Sequence, residues 1–276
     1  MIDFANAKIN IGLNITEKRA DSFHNIETVF FPLKWKEPIE LLRNSSLKAE
    51  AGNCIQFTSS GISINGSLDA NLCVRAYHLL CKDFQLPPVK MHLHKMLPIG
   101  AGLGGGSSDA STAIKLMNHF FGLHLQAAEM EDYAKKIGSD CAFFIENKPV
   151  YAFEKGDRFN PVTINLTGYF LILVCPEIHV ATATAYAGVR PEKADVVLQE
   201  AIQLPVHQWR GLIKNDFEPS VFLAHPELPR IKQQLYDAGA VYASMSGSGS
   251  SIYGLFESPV DLKSVFRHCQ VWEEVI

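Results

Sequence analysis

No block or stripe of basic residues occurs in this chain of 276 residues, whose formal net charge is −4. That argues against a nucleic-acid partner, because binding the phosphate backbone needs clustered Lys and Arg. Nor does any apolar run approach the roughly 18 residues of a spanning helix; the longest, residues 169–175, suits a fully buried strand. The six cysteines (Cys54, Cys73, Cys81, Cys141, Cys175, Cys269) form no C-x-x-C pair. They read as reduced, packed thiols rather than a disulfide frame or zinc site. His92 and His94 share one strand face but lack nearby Cys or carboxylate partners, so they read as solvated and not as ligands. The opening MIDFANAKIN has neither a basic stretch nor an apolar stretch, so no signal peptide is expected and the cytoplasm is the expected compartment. There is no repeat, low-complexity tract or charged tail. With 47% hydrophobic and 20% charged residues, the chain has ample core for one large domain or two moderate ones. A small-molecule partner is expected, with no nucleic acid and no membrane; monomer and homodimer both stay open.

Glycine is concentrated in one place. Five of the 19 glycines (Gly100, Gly102, Gly104, Gly105, Gly106) fall within seven residues of the run PIGAGLGGGSSDAS, residues 98–111. A packed core has no use for such a run, because glycine buries no side chain and costs backbone entropy to order. It suits a place where backbone N–H groups close around a ligand. Residues 89–93 before it alternate as a strand does, and Ala113, Ile114, Leu116, Met117, Phe120 and Phe121 after it have helical spacing. Strand, glycine loop and helix N-terminus in that order make an anion site, favoured by free N–H groups and the helix dipole.

Two familiar phosphate loops do not fit. The P-loop needs Gly-Lys-Ser/Thr at its end, and Ser107 follows the last glycine here. The dinucleotide pattern is met by Gly100, Gly102 and Gly105, but it also wants a strand ending in an acidic residue about 20 positions on. Residues 126–137 read instead as another helix. The run does resemble the glycine motif of the GHMP kinases, small-molecule kinases unrelated to P-loop enzymes.

A second signal lies at the N-terminus. Residues 8–15, KINIGLNI, put Ile9, Ile11, Leu13 and Ile15 on one strand face and Lys8, Asn10, Gly12 and Asn14 on the other. Asparagine and glycine are poor strand formers, so something other than propensity selects that polar face. The chain then turns at Asp21-Ser22 into a second strand. The pair A-K-I-N and R-A-D-x-F/Y-H is similar to the GHMP branch that acts on a cytidine diphosphate-linked methylerythritol.

The resemblance extends along nearly the whole chain. It places Asn71 and Leu72 beside adenine, and Lys95 and Pro98 on the nucleotide side. It has Gly100, Gly102, Leu103, Gly104, Gly105, Gly106, Ser107 and Ser108 around the β- and γ-phosphates of ATP. Gly138-Ser139-Asp140 matches the motif of the catalytic aspartate. Thr182 and Tyr186 match the segment closing over cytidine, and Ser246 to Ser251, with Gly247, Ser248 and Gly249, the third motif near the phosphates. Two departures keep their stacking faces: Phe23 stands where tyrosine is common, and Tyr186 where phenylalanine can stand.

The resemblance implies an ATP-dependent transfer of phosphate to the acceptor's 2-hydroxyl, in the non-mevalonate isoprenoid route. Asp140 would orient the hydroxyl or take its proton; aspartate is a weak base, so orientation carries more of the effect. Lys8 would lie near Asp140 and the transferring group, and Asn10 would bond the polyol. His24 would read cytosine with one donor and one acceptor, with Phe23 and Tyr186 stacking on the ring. Mg²⁺ is expected with the triphosphate, through Ser107, Ser108 or Asp109. Read without the family, Asp140 is a helix N-cap, Lys8 a solvated lysine, and Gly138 a left-handed helix stop. Another GHMP kinase of the mevalonate or homoserine type is the alternative. A nucleotide-binding regulator without catalysis is a third reading.

The implied fold is a two-domain α+β, α/β arrangement. Residues 1–160 would form a ribosomal S5 domain 2-like, ATP-binding half and residues 161–276 a ferredoxin-like half, with the site in the cleft. Helices are expected near Asp69, Ser108 and Gln126, and at 192–203, 226–238 (with Gly239 as its cap) and 259–269. Strands are expected near 149–154, 169–175 and 240–245, and short strands and turns over 44–68.

Overall fold

The computed structural model describes residues 1–45 and 54–276. In chain order the elements are strands β1 (Ile2–Lys18), β2 (His24–Arg43) and β3 (Ile55–Gly61), helix α1 (Leu72–Leu80), strand β4 (Val89–Lys95), and helices α2 (Gly105–Phe121), α3 (Ala127–Lys135) and α4 (Phe143–Glu146). Then come strands β5 (Val150–Phe153), β6 (Arg158–Pro161) and β7 (Phe170–Cys175), helices α5 (Thr182–Ala187), α6 (Leu198–Ala201), α7 (Glu218–Ala224) and α8 (Glu227–Asp237), and strands β8 (Tyr242–Met245), β9 (Ile252–Phe256) and β10 (Gln270–Val275). The chain divides into two compact units: residues 1–7, 32–99 and 104–148, and residues 8–31, 100–103 and 149–276.

In the first unit β3 runs parallel to β4 (Ile55 opposite Val89), and β4 runs antiparallel to the end of β2 (Leu93 opposite Ile39). Met91 and Leu93 of β4 are buried, as are Val74, Tyr77 and Leu80 of α1 and Ile114 and Met117 of α2, as the period-2 and 3.6-residue patterns require. Each such side chain contributes about 1.5–3 kcal/mol on burial. On the other face of β4, His92 bonds Thr58 and Ser60, and His94 bonds Ser60. Among the described residues no group of His, Cys, Asp and Glu is arranged to hold a metal ion.

In the second unit β5 pairs with the start of β2 (Tyr151 opposite Val29) and β6 with β5. A separate antiparallel sheet has the order β10-β7-β9-β8. β7 is one of its two inner strands, buried from Leu171 to Cys175, which explains its unbroken apolar run. Leu228, Ile231 and Leu235 of α8 pack on this sheet with Val174, Ala243 and Ile252. Gly239 follows that helix at φ +99°, as expected of its cap. Among the described residues no cysteine is in a disulfide, and no helix is long and apolar enough to cross a membrane.

The expected helix at 192–203 shrinks to α6. Upstream of it the Glu192 N–H donates to the Ile15 carbonyl of β1 at 3.0 Å, and residues 189–194 carry no regular structure. Residues 259–269 form turns and not a helix. Leu262 and Phe266 are buried with helical spacing, but the bonds there close single turns without propagating. β6, β9 and β10 had no assignment from the sequence. Of the stretch 44–68, residues 46–53 lie outside the described residues; the remainder supplies β3 and turns.

Candidate active site

In the first unit, β4 ends at Lys95 and the chain reaches α2 through the glycine run. Gly104 is the N-cap at φ +69° and ψ +15°, and no side chain caps this helix. The first-turn N–H groups have no partner within the helix, and Gly106 is exposed. That is the donor array and positive dipole end that an anion needs. Leu72 borders it: a Cβ on Gly106 would stand 3.7 Å from Leu72 Cδ1. Asn71 caps α1 by accepting the Cys73 N–H at 2.9 Å. Pro98 is half-buried.

The serines and Asp109 differ sharply. Ser108 is buried and its Oγ accepts the Asn6 N–H at 2.9 Å. Asp109 is also buried, with Oδ2 on the Lys95 ammonium at 2.7 Å. Burial pushes the Asp109 carboxyl upward, and the Lys95 ammonium beside it pulls the other way. Ser107 is half-buried, which leaves it the accessible side chain of the three.

Asp140, half-buried, sits in a short 3-10 turn (Ser139–Cys141). Ser111 Oγ in α2 donates to the Cys141 carbonyl at 2.5 Å and lies 2.9 Å from the Ser107 carbonyl. The turn carrying the carboxylate is thereby fastened to the helix that opens at the glycine loop. Two expectations fail here. Gly138 is extended (φ −172°, ψ +154°), because α3 has already stopped at Lys135; the glycine makes room for Cys141 Sγ, 3.3 Å from where its Cβ would be. Asp140 is not an N-cap either, since the residue before α4 is Ala142.

The second unit holds the other candidates. Lys8 is 3% exposed and Asn10 2%, so the polar face of β1 is buried, not solvated. The Lys8 ammonium donates to Asn10 Oδ1 and to the Gly102 carbonyl (3.2 Å), and lies 5.0 Å from the centre of the Phe30 ring. Asn10 Nδ2 donates to Thr28 Oγ1 at 2.9 Å. The third motif meets the start of the glycine run at this point. Ser246 Oγ donates to the Gly102 carbonyl at 2.9 Å, and the Ser251 N–H to the Ala101 carbonyl at 3.2 Å. Gly102 has φ +78°, and a Cβ there would fall 1.9 Å from the Ser246 oxygen. Gly247 packs on both Asn10 and Gly102: a Cβ would be 3.2 Å from Asn10 Oδ1 and 3.3 Å from Gly102 Cα. The Leu103 carbonyl accepts the Lys8 N–H at 3.0 Å.

Thr182 at the start of α5 lies 3.3 Å from Ser248 of the third motif, oxygen to oxygen. His24 stacks on Tyr186 with ring centres 4.8 Å apart and planes 18° from parallel. Burial, with Lys18 adding to it, holds the His24 imidazole below its ordinary pKa. The neutral ring offers one donor and one acceptor. The rings brought together are thus His24 and Tyr186; Phe23 is exposed, with the Lys155 ammonium 5.3 Å from its ring centre.

Residues 71–148, which hold the glycine loop and Asp140, match the family described as GHMP kinases N terminal domain. Residues 191–270, which hold the third motif, match GHMP kinases C terminal. The chain belongs to the GHMP kinases. It is 46% identical over 275 residues to the 4-diphosphocytidyl-2-C-methyl-D-erythritol kinase of Parabacteroides distasonis, covering 99% of this chain and 98% of the relative. Identity to the enzyme of the same name from Bacteroides fragilis is 49% over 256 residues, 93% and 92% of the two chains. Among solved structures, a 4-(cytidine 5'-diphospho)-2C-methyl-D-erythritol kinase superposes with a TM-score of 0.82 at 26% identity, covering 99% of this chain and 98% of that one. The two-domain GHMP kinase fold is therefore the fold of this chain, and ATP is the phosphoryl donor this family uses.

Several residues that shape the GHMP kinase motifs carried no legible signal. Asn215 Nδ2 donates to the Met245 and Gly247 carbonyls at 2.8 and 2.9 Å, yet it stands in an ordinary loop sequence. Glu37 is fully buried against Lys95, although its neighbour Lys36 is exposed. A cavity of about 560 Å³ in the second unit, lined by residues including Asn14, Arg190 and Lys214, contains none of the predicted site residues.

Proposed function

We propose that this chain transfers the γ-phosphoryl group of ATP to the 2-hydroxyl of 4-diphosphocytidyl-2-C-methyl-D-erythritol, in the cytoplasm, as a step of the non-mevalonate isoprenoid route. The observation that carries this reading is the stacked, neutral His24 on Tyr186 in a chain 46% identical to a kinase of that name along almost its whole length. A base-reading group has no purpose with mevalonate or homoserine, which carry no base. Cytosine recognition asks for a donor, an acceptor and an aromatic face, and the neutral imidazole and the phenol ring supply them; Phe23 and Thr182 border the nucleoside in this reading.

Phosphoryl transfer has a loose transition state, so the protein contributes mainly position and charge. The unpaired amides at the start of α2 suit phosphate oxygens, and Asn71, Leu72 and Pro98 the adenosine; Gly100, Gly102, Leu103, Ser108 and the third-motif residues Gly247, Ser248 and Gly249 keep the phosphate-side role that the family resemblance gives each of them. Asp140 orients the acceptor hydroxyl and receives its proton. Lys8 stabilises the charge that develops on the transferring group, and Asn10 bonds the polyol. Mg²⁺ neutralises triphosphate charge when bound. The oxygen donors such a hard cation needs fit Ser107, because Ser108 and Asp109 are buried against Asn6 and Lys95. In the same reading residues 1–160 are the nucleotide-binding domain and residues 161–276 the C-terminal domain.

The test is turnover of ATP with Mg²⁺ and each candidate alcohol, followed by ADP release. Phosphorylation of the cytidyl substrate alone is expected. Turnover of mevalonate or homoserine in its place refutes the assignment, and ATP binding without any turnover makes the chain a regulator.

A further inference from the structure

Three charged side chains are buried together at the foot of α2: Glu37 of β2 (0% exposed), Lys95 at the end of β4 (3%) and Asp109 in the first turns of α2 (4%). The Lys95 ammonium lies 2.5 Å from Glu37 Oε1 and 2.7 Å from Asp109 Oδ2. Glu37 Oε2 accepts the backbone N–H groups of Met96 and Leu97 at 2.7 and 2.8 Å. A Cβ on Gly105 would stand 3.1 Å from the ammonium and 3.5 Å from Leu97 Cβ. One cation therefore touches both flanks of the glycine loop: the strand that enters it, through Glu37, and the helix that leaves it, through Asp109.

Stability is a poor reason for this cluster. Desolvating two carboxylates and an ammonium costs several kcal/mol per ion, and apolar replacements of buried ion pairs are often neutral or stabilising. Asp109 Oδ1 has no hydrogen-bond partner among the described residues, so the arrangement is not even fully satisfied. What the geometry delivers is a fixed separation between Leu97 and Gly105, the two ends between which residues 98–104 must arch. An aperture set that way suits backbone donors that must match a triphosphate to a few tenths of an ångström.

We propose that Glu37, Lys95 and Asp109 are positioning residues that set the aperture of the phosphate loop without touching the nucleotide. This rests on the kinase reading above. It reassigns Lys95, which the family resemblance places on the nucleotide side, from ligand to brace.

The experiment compares wild type with Glu37→Gln, Lys95→Met and the double variant. The readouts are KM for ATP, KM for the cytidyl acceptor, kcat, and the thermal shift that ATP induces. Each single variant is expected to raise KM for ATP about tenfold or more and to leave the acceptor KM unchanged. The double variant is expected to be no worse than the worse single, because members of one network are not additive. If Lys95→Met alone raises KM for ATP and Glu37→Gln does not, Lys95 is a direct contact and the proposal falls. A lower melting temperature and lower kcat with both KM values intact shows a merely structural cluster, and also overturns it. Should Lys95→Met fail to fold, Asp109→Leu carries the test: it leaves Lys95 on Glu37 but releases the helix flank, and an unchanged KM for ATP would refute the brace. A wild-type protein with neither turnover nor ATP-induced shift overturns the kinase reading itself, and the brace with it.

Discussion

Gly102→Ala isolates the contact between the glycine run and the third motif. Two costs arise at that position and can be separated. The first is conformational: an L-residue at φ +78° costs about 1–2 kcal/mol relative to glycine. The second is steric, because the new Cβ would lie 1.9 Å from the Ser246 oxygen and 2.9 Å from its carbonyl carbon. Both are backbone atoms, so no rotamer change relieves the clash. Opening 1.9 Å to 3.0 Å, below which real Cβ contacts essentially never occur, demands a shift of about 1.1 Å. Gly102 also accepts hydrogen bonds from Lys8 and Ser246, so the shift disturbs the lysine and the loop at once. A misplacement of about 1 Å costs around 10²-fold in rate, equivalent to about 2.7 kcal/mol. Gly168→Ala is the control, with φ +88° but nothing within 4 Å. It should lose about 2–8 °C in Tm, from 1–2 kcal/mol at about 2–4 °C each, and keep its kcat/KM for ATP. Gly102→Ala should lose about 10²-fold in kcat/KM in a coupled ADP-release assay, beyond a comparable loss of Tm. Equal kcat/KM for the two variants would refute the steric argument.

Asp140→Asn should lower kcat by about 10²–10⁴-fold, the range of a lost general base, while ATP still shifts the melting temperature; full turnover would assign the hydroxyl to another group. The acceptor KM has a predicted pH dependence. His24 is held below its ordinary pKa, so its neutral form dominates at pH 7–8 and the KM should be flat there. As the pH falls well below the free imidazole value of about 6.5, the ring gains a proton, loses its acceptor, and the KM should rise. In His24→Gln, which keeps a donor and an acceptor at every pH, that rise should vanish; a persistent rise would place the titrating group elsewhere.

How much was legible in the sequence depended on whether a feature was local. The glycine loop and its helix were, because a run of backbone without side chains is itself the function of that segment. β7 was, since a strand buried on both faces reads as an unbroken apolar run. α8 and its glycine stop were equally plain. By contrast, Leu262 and Phe266 carry the spacing of a helix that does not form, because helical spacing records burial on one side and turns can satisfy it too. The Glu192 N–H found a partner in Ile15, far away in the chain, and no local pattern announces such a bond.

The site divides along the same line. Residue type and order along the chain determined the family, the phosphate loop, and the identities of Lys8, Asp140 and His24 as candidates. Only the tertiary structure decided that Lys8 and Asn10 are buried under Gly102 and the third motif, that His24 stacks on Tyr186, and that Lys95 belongs to Glu37 and Asp109. It also decided that Ser108 and Asp109 are buried against Asn6 and Lys95 while Ser107 stays half-buried. Local chemistry is written in neighbouring residues. Burial, and the partner each charge finds, depend on segments tens to hundreds of residues apart, and those meet only when the chain has folded.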